Sequence, residues 1–172
     1  GIDFSVQYNF QSNIGEFDLK VNGAYLEKYD QTPGSEQQII IDAGLSAAGA
    51  GDLIKQNGRP EWRSSASALW RQGQWGAGLF FRYIGEIEDT STKADNDTAE
   101  PGKALPLDDY MTVSAYVDYR LENSFTENAR FRLGVRNMFD EQAPAADEQL
   151  GYFGSVYSNR GRYIYFDVST RF

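Results

Sequence analysis

Apolar and polar side chains alternate with period two in seven segments of this chain, and the gaps between those segments constrain the fold more than any single motif. Successive strand side chains point to opposite faces, so each segment reads as a strand with one greasy and one polar side. In residues 1–10, Ile2, Phe4, Val6, Tyr8 and Phe10 oppose Asp3, Ser5, Gln7 and Asn9. The other segments lie near 16–27, 61–71, 74–85, 109–121, 128–138 and 161–172, and the pattern is weakened by Ser64 in the third and by Phe80 and Ile84 in the fourth. Connections run short, long, short, long, short, long, the long ones spanning 28–60, 86–108 and 139–160. Antiparallel neighbours joined in that rhythm put every long connection at one end, as in a transmembrane barrel with tight periplasmic turns and extended outer loops.

Alternation alone does not say which face points inward. A soluble β-barrel or sandwich that turns the greasy face onto a small apolar ligand remains an alternative. No window approaches the roughly 20 apolar residues of a spanning helix, and the mean hydropathy of −0.55 is that of a soluble protein. A barrel strand crosses lipid in about ten alternating residues, so that average does not argue against one. The chain has no cysteine and no histidine, which removes thiolate and imidazole metal ligands and the Ser-His-Asp relay from these residues. No cofactor is expected. An outer-membrane barrel enzyme is the least favoured reading. The net charge of −9 argues against a nucleic-acid partner, whose phosphates demand clustered Lys and Arg. Gly1-Ile-Asp-Phe already reads as a strand with no signal peptide before it, so the chain is expected to be a mature protein or an excised piece.

Large aromatics supply a second constraint. A barrel is anchored at headgroup depth by a belt of Trp, Tyr and Phe on its greasy face. Phe10 and Phe17 flank the first short turn, Trp70 and Trp75 the second and Phe131 the third, while Phe172 ends the last segment. These six share the greasy parity and are expected at one level, forming the inner belt. In the terminal segment Ile164, Phe166, Val168, Thr170 and Phe172 oppose Tyr163, Tyr165, Asp167, Ser169 and Arg171. Its expected neighbour is the segment of Arg130 to Val135.

Leu133-Gly-Val-Arg-Asn-Met-Phe-Asp140 resembles the Asn-Leu-Phe-Asp-type core in the penultimate strand of TonB-dependent outer-membrane receptors, and Gly161-Arg-Tyr through Phe172 resembles their closing strand. Gly58-Arg-Pro-Glu-Trp-Arg, Trp70-Arg-Gln-Gly-Gln-Trp75, Arg82-Tyr-Ile-Gly85 and Tyr110-Met-Thr-Val resemble, in order, the preceding strands of that family. The resemblance implies a plugged 22-stranded barrel in the outer membrane of a Gram-negative bacterium. Through TonB it would import siderophores, cobalamin, haem or oligosaccharides. This chain would be about seven strands of that barrel, an all-β antiparallel up-and-down segment forming one C-terminal unit. The plug, the TonB-contacting box and the remaining strands would lie elsewhere. The implied partners are outer-membrane lipid, the remaining strands, the plug and TonB. By the same resemblance Tyr163, Phe166, Val168 and Phe172 belong to the assembly signal of the closing strand, and deleting Phe172 should impair assembly more than ligand binding.

The polar parity carries the candidate site residues. Tyr110, Tyr116, Tyr163 and Tyr165 face the expected lumen with Arg132 and Arg136, where they could stack on a sugar ring, guide an anion or pack against a plug. Arg130, Arg160, Arg162 and Arg171 belong to the same basic set, but Asp18, Asp118 and Asp167 share the face, and ion pairing across strands is the favoured reading. The acidic run from Glu86 to Asp97 lacks the Gly and terminal Glu of an EF-hand loop and reads as a solvated outer loop. Asn137 and Asp140 read as a strand end in which each bonds local backbone.

Overall fold

A computed structural model describes residues 1–45, 47, 49–94, 103–123 and 126–171. Seven long strands make one sheet: β1 (Ile2–Ser12), β2 (Gly15–Tyr25), β3 (Trp62–Gln72), β4 (Trp75–Ile84), β5 (Tyr110–Asn123), β6 (Thr126–Arg136) and β7 (Tyr163–Arg171). Their order in the sheet is their order in the chain, and every neighbouring pair is antiparallel. These are the seven segments read from the alternation, with ends shifted by a few residues. The terminal strand pairs with β6, Phe131 opposite Val168 and Val135 opposite Ile164. Ser12 lies opposite Gly15, and Gln72 opposite Trp75, so the first two turns are two residues long.

Parity holds across the whole sheet. The row Val6, Val21, Ala66, Phe81, Val113 lies on one side, and Ser5, Asn22, Ser65, Arg82, Thr112 on the other. Among the described residues, the greasy side is left largely open. Val6 stays 61% exposed, Leu133 52% and Phe166 66%, an apolar expanse too large for a sheet face turned to water.

The long connections hold what little conventional core there is. The first carries a two-residue ladder, Asp30–Gln31 with Gly51–Asp52, and a short helix, α1 (Ser35–Asp42), none of whose residues is buried. No helix was expected there. The second folds back as Ile87–Asp89 against Leu105–Leu107. Phe153, Val156 and Tyr157 of the third pack on Ile84, Ile87, Leu107 and Tyr110. Ile84 and Tyr110 lie opposite Arg63 and Ile84 in the ladder, so the third connection folds over the polar face of the sheet.

Candidate functional site

Three levels of the polar face can be separated. At the loop end, Arg82 donates from Nη2 to the Val156 carbonyl at 3.2 Å and the Tyr110 hydroxyl donates to the Ser158 carbonyl at 2.9 Å. Tyr110 is only 2% exposed. It is therefore a strut beneath the third loop and not an open lumenal contact, a correction to its expected place. The loop is pinned again where Asp89, itself buried, accepts from the Asp147 N–H at 2.7 Å and the Ser91 N–H at 3.0 Å. Tyr157 is buried with its hydroxyl unpaired among the described residues. Burial pushes that phenol up to about 12, against the opposing pull of Arg63.

The base of the third loop explains its Asn-Met-Phe-Asp core. Asn137 and Asp140 both adopt left-handed backbone, φ 49° and 60°, a region that Asn and Asp tolerate better than other side-chain-bearing residues. The Asn137 side chain accepts from the Glu141 N–H at 2.9 Å and donates to the Glu141 carbonyl at 2.8 Å. Asp140 accepts from the Arg162 N–H at 2.6 Å, so the two ends of the loop are tied together at the wall. Asn137 ends its strand by bonding local backbone, as expected, whereas Asp140 reaches backbone 22 positions farther along the chain.

At mid-height, polar contacts and rings alternate along the wall. The Ser5 hydroxyl donates to Asn22 at 2.9 Å, and Asn22 donates to Ser65 at 3.3 Å. Farther along, Phe80 stacks on Tyr116, the Arg132 guanidinium lies 3.7 Å above the Tyr116 ring, and Arg136 stands 5.9 Å from the rings of both Tyr163 and Tyr165. Phe80 and Ile84, which spoil the alternation in the sequence, are thereby explained. One supports the ring cluster on the polar face and the other anchors the loop.

Nearer the turns, one row crosses the sheet as Glu16, Arg71, Gly76, Asp118, Arg132, Asp167. Asp118 is fully buried, and Arg132 donates to it at 3.0 Å. Arg130 lies 3.9 Å from Asp167. Ion pairing across neighbouring strands is therefore the observed state of Arg130 and Arg132. A Cβ at Gly76 would stand 3.0 Å from the second Asp118 oxygen and 3.4 Å from Arg71 Nη2. Glycine keeps that gap in the row open. Arg71 Nη1, Asp118 Oδ1, Arg130 Nε and Arg132 Nε are buried without hydrogen-bond partners among the described residues.

On the greasy face, Phe10 stacks on Phe17 at 4.8 Å and Trp70 continues that row. Trp75 and Phe131 lie in a different row, two residues closer to the turns, with Tyr119 between them. The expected single ladder level is thus two rows. Rows run perpendicular to strands tilted by about 40°, so a belt at fixed height drops roughly one residue per strand. Phe172 lies outside the described residues. An opposite aromatic group, overlooked in the sequence, contains Tyr25 and Trp62 with ring centroids 4.6 Å apart. Eight positions separate Trp62 from Trp70 in β3, or roughly 26 Å along the strand and ~20 Å of height, close to the apolar band of a barrel. The acidic run is described only in part, since Asp95 to Asp97 lie outside the described residues.

An up-and-down antiparallel sheet with a bare apolar face between two aromatic groups, and a polar face covered at its loop end by its own loops, is a wall segment of a membrane-spanning β-barrel. Residues 1–138 match the family model described as TonB dependent receptor-like, beta-barrel, and the chain belongs to that family. No curated protein and no solved structure matches the chain. The family is one of outer-membrane receptors and transporters of Gram-negative bacteria, not of enzymes, and its barrels work with a plug and with TonB.

Proposed function

We propose that this chain is the C-terminal wall segment, with its outer loops, of a receptor that takes up a scarce nutrient by TonB-coupled transport. The nutrient is a siderophore, cobalamin, haem or an oligosaccharide. The observation that carries the reading is the pairing of a bare apolar face with a polar face sheltered by the protein's own loops, on a chain of this family. Tyr116, Arg132, Arg136, Tyr163 and Tyr165 are the proposed lumenal contacts; Phe10, Phe17, Trp70, Trp75, Phe131 and Phe172 are the proposed inner belt.

Growth of a strain dependent on the full receptor, tested on limiting ferric siderophores, cobalamin, haem and oligosaccharides, should be restored by one of these only when TonB is present. TonB-independent growth, or a receptor that stays monodisperse and folded without detergent, would overturn the proposal. Tyr163, Phe166, Val168 and Phe172 act in this reading as the assembly signal. Removing Phe172 is expected to lower the amount of receptor at the cell surface while leaving the affinity of each assembled copy unchanged. Normal surface levels of the deletion would refute that role.

A further inference from the structure

Two arginines on the polar face are used differently. Arg132 has its edge on Asp118 and its face on Tyr116. Arg136, two positions beyond Gly134 on the same side, is exposed and has no carboxylate partner among the described residues; it stands between two tyrosine rings. The sheet forms a cavity of about 350 Å³ here, lined by Phe80, Ser114, Tyr116, Arg132, Arg136 and Tyr165. Gly134 makes room for it, because a Cβ there would overlap the Tyr165 ring. Ser114 Oγ accepts from the Asn137 N–H at 3.2 Å, which leaves its hydroxyl proton to donate into the cavity. The Arg132–Asp118 pair is neutral, so the cavity carries one uncompensated positive charge, three aromatic walls and a hydroxyl donor.

We propose that this cavity is a binding site for a flat, singly charged carboxylate, held on Arg136 with its planar body against Tyr165. A guanidinium presents parallel donors to a carboxylate, and rings on three sides favour a conjugated body over a flexible aliphatic one. The site rests on the reading of the polar face as the lumen and goes beyond it by naming the ligand chemistry. The imported cargo is the source of such a carboxylate, since the side-chain carboxylates of a plug carry no planar body.

The test uses the full receptor in detergent with benzoate as the probe and benzyl alcohol as its neutral counterpart. Benzoate is expected to bind saturably and benzyl alcohol not, and Arg136→Gln is expected to weaken benzoate about tenfold. Benzoate binding that Arg136→Gln leaves unchanged overturns the proposal, as does the absence of saturable benzoate binding. Heat-modifiable migration of the same variant separates the two failures. If it is retained, the barrel reading stands and only the site falls; if wild-type receptor also lacks it, the barrel reading itself has failed.

Discussion

Replacing Asp118 with alanine is expected to cost the folded barrel about 3 kcal/mol, because removing one member of a buried ion pair leaves the other charge uncompensated. Asp118 has no exposed side-chain surface, and its partner Arg132 is 23% exposed, which places the cost at the lower end of the usual range for such losses. Asp118→Asn keeps the shape and one acceptor and should lose about half as much. The double variant Asp118→Ala with Arg132→Met should recover most of the loss, since no isolated charge remains and the methionine can rest on Tyr116. Denaturant midpoints of the refolded receptor in detergent decide the matter. A loss below ~1 kcal/mol for Asp118→Ala, or a double variant worse than the single, would show that the row carries no such energy.

Val21→Arg is the second large effect, and it turns on what the greasy face touches. Val21 is 43% exposed and lies in the row midway between the Tyr25–Trp62 and Phe17–Trp70 levels. Facing water, an arginine there would change stability by no more than about 0.5 kcal/mol. Facing the middle of a bilayer, it should cost about 2–4 kcal/mol. Asn22→Arg, one residue along and on the polar face, should be tolerated. Refolding both variants into lipid vesicles and comparing their unfolding free energies gives the answer. Equal, small effects would mean that the greasy face does not meet lipid.

The strands were legible because period two is a local signal, carried by neighbours such as Val6 and Gln7 whatever surrounds them. Register came with it, since a slip of one residue would exchange the two faces. What stayed hidden depends on contacts distant in sequence. Nothing between Ala143 and Tyr157 is periodic, so the packing of Phe153, Val156 and Tyr157 on Ile84 and Tyr110 has no local trace. Tyr110 therefore looked like an open lumenal tyrosine by parity alone. The breaks in alternation at Phe80 and Ile84 were the available clue, and they fall where the polar face acquires ring and loop contacts. The two-row belt was hidden for another reason. Strand tilt belongs to the assembled sheet and cannot be read from any one strand. The Asn137 turn was legible because its bonds to Glu141 are short-range, whereas the bond from Arg162 to Asp140 spans the loop and left no local trace.

The third loop also divides the polar face by depth. By lying on Ile84 and Tyr110 it upholsters the loop end of that face, and bare strand begins only farther along, near Arg136 and Phe80; in the proposed receptor a descending molecule would meet loop residues first. Its ends are tied to each other through Asp140 and Arg162, and Phe153, Val156 and Tyr157 rest on the strands beneath, so in the proposed receptor the exposed stretch around Leu150, between these anchors, is the part that can vary in bulk without disturbing the ladder.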